Sequence, residues 1–153
     1  MRIQALAIWI GAALALPAQA ENITSTNPEA LVEILVELGQ TAELTADQIG
    51  DPLVRAEGES GPYLIWFYGC TANTRCTGVN FSAGFEPSDG ATLELMNEWN
   101  AQRVVGRAYL DAQNSPIIDH YVVLGGGVTL LNFNRFVAGW SAALGEFKML
   151  LEG

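Results

Sequence analysis

The clearest pattern along the chain lies at its C-terminal end. Leu130, Phe133, Val137, Trp140, Leu144, Phe147 and Leu151 recur in alternating steps of three and four. That spacing lines one face of an α-helix and predicts a long amphipathic helix running to the C-terminus. Gly139 and Gly145 fall inside it, lowering helicity and allowing close packing or a bend. A second helical pattern opens at Asn27-Pro28, a cap followed by proline at the first helical position. Its apolar stripe is Leu31, Ile34, Leu35 and Leu38; Glu29, Glu33 and Glu37 form an acidic stripe on another face, and Gly39 stops it. A third helix follows the turn Pro87-Ser88-Asp89-Gly90, with Leu93, Met96 and Trp99 facing inwards.

Between these helices the period changes to two. Thr77 to Phe85 sets Val79, Phe81, Ala83 and Phe85 against Gly78, Asn80, Ser82 and Gly84, as expected of a half-exposed strand. Tyr63 to Tyr68, YLIWFY, is apolar throughout and reads as a strand buried on both faces. Together the two make a hairpin with Cys70 and Cys76 near its closed end. Thr41 to Glu57 is ambiguous: one or two short strands fit, around Ala42–Leu44 and Leu53–Glu57, with a turn at Gly50-Asp51-Pro52. Val104 to Asp111 and Ile117 to Leu124 read as a second hairpin, broken by Gly125-Gly126-Gly127. Helix, strands, helix, two strands, helix, joined by hairpins, is the order of an α+β domain: a mostly antiparallel sheet with helices packed on it.

The first twenty residues stand apart. Arg2 precedes an apolar run from Ala5 to Leu16, and Ala18-Gln19-Ala20 has the Ala-x-Ala form of a cleavage site. Residues 1–20 are therefore expected to be a secretory signal peptide, and the protein periplasmic or secreted after cleavage near Ala20. Residues 21–27 are polar and expected to form a flexible leader, leaving 28–153 as a single domain. The apolar run is too short for stable membrane insertion. Without Arg2 the charge balance is six basic against seventeen acidic residues, 6 − 17 = −11. Such a surface repels phosphate backbones and argues against nucleic acid as a partner.

Export changes the reading of the two cysteines. A Cys70–Cys76 disulfide becomes the default, with two buried thiols as the alternative. The C-x5-C spacing suits neither zinc nor the C-x-x-C redox motif. Other chemistry finds little support. His120 is the sole histidine, and Asp119 beside it points to the opposite face of the strand. There is no G-x-S-x-G elbow and no D-x-D calcium pattern, and the triple glycine lacks a following G-K-[ST]. No catalytic residue, metal site or cofactor is expected.

The stretch Asn97 to Asp111 concentrates the candidate binding residues: Asn97, Trp99, Asn100 and Arg103 could line a ligand or partner surface. A structural role competes with this. Trp99 would anchor its helix, the asparagines would satisfy backbone groups where helix gives way to strand, and Arg103 or Arg107 would pair with an acid such as Asp111. Glu33 and Glu37 on the acidic stripe are the second candidate surface, with an exposed sheet face as an alternative to it.

These residues also carry a resemblance. Asn97-x-Trp99-Asn100 with Arg103 and Ala108-Tyr109-Leu110-Asp111, Gly126-Gly127-Val128 opening the last helix, and the two cysteines before Phe81 resemble the YbjN family, described as bacterial sensory transduction regulators. Val104-Val105 stands where family patterns often have an aromatic residue. The resemblance implies an α+β fold similar to that of type III secretion chaperones. It implies little chemistry by itself; joined to the expected export, the compact size and the absent catalytic motifs, that fold leads to the expectation of a non-enzymatic binding or regulatory module engaging a protein or peptide in a chaperone-like way. A homodimer is a further partner left open. The alternative function is a small-ligand sensor with a pocket between sheet and helices, near Trp99 or Trp140.

Overall fold

The computed structural model describes residues 22–153; the expected signal peptide lies outside them. The first helix, α1 (Pro28–Glu37), starts as its sequence requires, with the Asn27 side chain accepting from the Ala30 backbone N–H. Thr92 and Thr129 cap the other two in the same way, α2 (Leu93–Gln102) and α3 (Leu130–Glu152). Helix α3 is continuous across Gly139 and Gly145.

Before α1 comes a short strand, β1 (Asn22–Ile23); between α1 and α2 come β2 (Thr41–Ala46), β3 (Pro52–Gly58), β4 (Gly61–Tyr68) and β5 (Gly78–Gly84). Between α2 and α3 come β6 (Arg107–Leu110), β7 (Pro116–Val123) and β8 (Val128–Thr129). The main sheet has six strands in the order β2-β3-β4-β5-β7-β6, every neighbouring pair antiparallel. The chain is thus α+β. Helix α2 carries it from β5 to the edge strand β6, which turns back onto β7.

All three helices lie on one face. Val54, Ala56, Tyr63, Ile65, Phe67, Val79, Phe81 and Ile118 point from the strands into a core shared with Leu31 and Leu35 of α1, Met96 and Trp99 of α2, and Phe133, Trp140 and Phe147 of α3. Phe81 sits at its centre, with ring centroids 4.8 Å from Phe136 and 5.8 Å from Trp140. Truncating a large aromatic at such a position costs about 3–5 kcal/mol, because the cavity collapses only in part.

One ambiguity is resolved and three expectations are altered. The ambiguous Thr41–Glu57 stretch holds two full strands, closed by an Asp47 carboxylate that accepts from the backbone N–H of Ile49 and Asp51, each at 2.9 Å. Strand β4 is buried on one face only: Tyr63, Ile65 and Phe67 are covered, while Leu64 and Trp66 are half-buried and Tyr68 is exposed. Composition alone carries no face, so an unbroken apolar run hides the alternation. Strand β6 starts at Arg107 rather than Val104, because α2 runs on to Gln102 and Arg103–Gly106 make a bend. The supposed flexible leader is also tied down. Asn22 and Ile23 pair with β8, Ile23 is buried, and the buried Ser25 hydroxyl donates to the Cys76 carbonyl at 2.6 Å. A polar serine can enter a core when its one donor finds an acceptor there.

The two cysteines form a disulfide, as expected, in the β4–β5 connection. Asn73 within that loop donates to Ile49 O and to Asp51 Oδ1, both at 3.0 Å, and so links it to the β2–β3 turn.

Candidate functional site

The stretch Asn97–Asp111 works mainly by satisfying its own backbone. Trp99 is 4% exposed, and its indole N–H donates to the Gly106 carbonyl at 2.8 Å. Asn100 donates to the Ala108 carbonyl and accepts from the Ala108 N–H, both at 2.9 Å. Its amide takes the place of a neighbouring strand for the edge strand β6. Gly106 has φ +84, and a Cβ there would meet Ile118 Cδ1 at 2.6 Å, so both conformation and space demand glycine. Arg103 pairs with Glu146 of α3 at 2.8 Å, its guanidinium 5.4 Å from the Trp99 ring centroid. Both partners are about half exposed, which limits the pair to roughly 0–1 kcal/mol. Arg107 pairs with Asp119, not with Asp111.

The candidate residues fall in separate places. Trp99 and Arg103 border a hollow of about 480 Å³ between α2 and the end of α3, walled by Leu95, Met149 and Leu150. Asn97 is exposed on α2. Glu33 and Glu37 are exposed on α1, beside a hollow of about 210 Å³ shared with Ile23 and Leu130.

A larger surface lies on the sheet face away from the helices. The strand register aligns its side chains in rows. Glu43, Arg55, Leu64, Ser82, Asp119 and Arg107 form one row across all six strands. Thr45, Leu53, Trp66, Asn80 and Tyr121 form the next. Beyond them Tyr68 stands opposite Gly78, which in turn stands opposite Val123. The Tyr121 ring lies across Gly78, where any side chain would collide with it, and meets Tyr68 edge-on with centroids 6.3 Å apart. Two hollows follow this face. One, of about 890 Å³, gathers Trp66, Tyr68, Tyr109 and Tyr121 around Asp119. The other, of about 700 Å³, runs over Leu64 towards Glu43 and Glu57. They share Trp66, Ser82 and Ile117 and make one trough.

Asp119 is the charged group at its floor, 6% exposed. Arg107 holds it through both oxygens, Nε to Oδ1 at 3.1 Å and Nη2 to Oδ2 at 2.7 Å. The same guanidinium lies 5.1 Å from the Tyr109 ring centroid. Partial burial raises the Tyr109 hydroxyl above its usual pKa, and the Asp119 charge adds to that. On the core side of the same strand, His120 accepts from the Gly106 N–H through Nδ1 at 3.1 Å and stacks 5.4 Å from Phe136. Burial lowers its pKa, against an opposing pull from Asp119. Among the described residues no three His, Cys, Asp or Glu side chains are grouped to hold a metal ion. No described helix is long and apolar enough to cross a membrane.

The model of the YbjN family, "Putative bacterial sensory transduction regulator", matches residues 27–151. The chain belongs to the YbjN family. Its fold is similar to the crystal structure of YbjN from E. coli, described as "a putative transcription regulator", with a TM-score of 0.54 at 20% identity, covering 79% of this chain and 90% of that one. No curated protein matches. The YbjN match spans the trough as well as the Asn97–Asp111 stretch. The trough aromatics were missed in the sequence because Trp66 and Tyr68 sit in a uniformly apolar run. The signal that reveals them is the in-register neighbour Thr77–Phe85, whose Asn80, Ser82 and glycines leave that face without bulk.

Proposed function

We propose that this chain is a non-enzymatic, periplasmic binding and regulatory module that engages a protein or peptide partner, chaperone-like, through the open face of its sheet. The observation that carries this reading is the set of Trp66, Tyr68, Tyr109 and Tyr121 on a sheet face that none of the described helices covers. Clustered exposed aromatics on a rigid scaffold are characteristic of contact surfaces, where tryptophan and tyrosine contribute most of the binding energy. The disulfide fits an oxidising compartment, and the family's regulatory description fits a binding role. Asn100 acts in this reading by tying α2 to β6, Arg103 by pairing α2 with α3, and Glu33 and Glu37 offer a second contact surface.

The experiment is affinity capture from periplasmic extract with the oxidised protein. A Trp66→Ala/Tyr121→Ala variant is expected to lose the partner, and a Glu33→Lys/Glu37→Lys variant to keep it. The reverse result assigns α1 instead, and a partner retained by both variants removes both surfaces. If the occupant is a second copy, the aromatic variant changes the oligomeric state in size-exclusion chromatography. The second reading, a small-ligand sensor, rests on the 480 Å³ hollow beside Trp99, and a thermal-shift screen tests it.

A further inference from the structure

The geometry points to a cationic polypeptide segment, with arginine or lysine side chains seated among Trp66, Tyr68 and Tyr121, as the ligand of the trough. This rests on the reading above, that the open sheet face is the contact surface. Three observations carry it. First, the trough already holds one guanidinium in the arrangement a ligand would use: Arg107 lies over the Tyr109 ring while both oxygens of Asp119 accept from it. Aromatic faces attract cations within about 6 Å of the ring centroid. Tyr68 and Tyr121, both about half exposed, offer such faces in the same hollow with no cation of their own among the described residues.

Second, the charge of the trough favours a cation. Its lining carries Arg55 and Arg107 against Glu43, Glu57, Asp111 and Asp119, or 2 − 4 = −2. Arg107 is paired with Asp119, and Arg55 stands in register opposite Glu43 on the neighbouring strand. The whole chain carries −10, which steers basic segments towards it and repels a second copy. Third, the two hollows are continuous and span the sheet from Glu43 to Arg107. That length suits an extended chain better than a single small cation.

The test is fluorescence anisotropy of a dye-labelled hexa-arginine peptide titrated with the purified, oxidised protein at about 0.15 M salt, where the Debye length is about 8 Å. A neutral hexaglutamine peptide is the reference. Hexa-arginine is expected to bind at least tenfold more tightly than hexaglutamine. Tyr68→Leu/Tyr121→Leu is expected to weaken it by about tenfold, because two cation–π faces are lost at constant charge. Tyr68→Phe/Tyr121→Phe keeps the ring faces and is expected to bind within about twofold of the unmodified protein. Equal binding of the two peptides overturns the proposal. So does an unaffected leucine variant, or an equal loss in Glu33→Lys/Glu37→Lys, since that result means diffuse attraction to an acidic surface. A captured partner whose contacting segment is neutral or acidic, yet is lost on Trp66→Ala/Tyr121→Ala, overturns the cationic ligand alone. It leaves the sheet face as the contact surface.

Discussion

At the scale of single residues, the chain spends its polar side chains on backbone groups. Trp99, Asn100 and His120 each bond an atom of Gly106 or Ala108, where the chain passes from α2 into β6. His120 gives this a pH dependence. Its Nδ1 accepts from the Gly106 N–H, so the folded form holds the neutral ring, and burial lowers its pKa below the ordinary 6.5. The unfolded chain takes up its proton first. The contribution of His120 to stability is therefore complete above pH 6.5 and is lost as pH falls through the lowered folded value. Denaturant titrations between about pH 7.5 and 5 are expected to show that loss. His120→Asn, which keeps an acceptor in nearly the same place, is expected to flatten it; an unchanged slope would mean that other groups carry the dependence. The roles of Trp99 and Asn100 were legible at this scale because a helix-to-strand junction must satisfy its orphaned backbone groups, whereas Asn97, expected to do the same, stays exposed on α2. Which acid pairs with Arg107 was not. Asp119 stands opposite it only through the β6–β7 register, which the intervening turn sets.

At the scale of elements, amphipathic period decides how much is legible. Helix α3 declares its buried face through Phe133, Val137, Trp140, Leu144 and Phe147, while Leu130 at the start of the same stripe is exposed, and the alternation of β5 declares both of its faces. Strand β4 declares neither, since a tyrosine or tryptophan serves a core and a contact surface equally well. The β4–β5 connection ties several elements together. Its disulfide closes the loop, Asn73 reaches the β2–β3 turn, and the Cys76 carbonyl receives Ser25 from the segment after β1. Cys70→Ser/Cys76→Ser is expected to lower the unfolding free energy by about 2 kcal/mol on the chain-entropy estimate for so short a loop. The midpoint of denaturation checks it. The N-terminal segment should also become accessible to protease in this variant, because Ser25 is anchored to the loop backbone. An unchanged midpoint would show that the backbone contacts hold the loop without the bridge.

At the scale of the whole molecule, the fold separates two surfaces by burying the helices on one side of the sheet. The hollow beside Trp99 lies on the helical side and the aromatic trough on the other, so ligands of the two need not compete. A small molecule that fills the helical hollow stabilises the folded state by mass action, about 2.7 kcal/mol at a hundred times its Kd. It should raise Tm in the Tyr68→Leu/Tyr121→Leu variant as much as in the unmodified protein; a shift lost in that variant would place the ligand in the trough. By itself the sequence determined the order of the helices and main-sheet strands, the α+β class, the cysteine pair and the family, because each depends on local period, caps or short motifs; the two-residue strands β1 and β8 are too short to show a period. The tertiary structure alone decided which side of the sheet the helices cover, and so which aromatics are core and which are surface. That choice follows from strand order and register, which bring Trp66 and Tyr68 of β4 together with Tyr109 and Tyr121 of the distant β6–β7 pair.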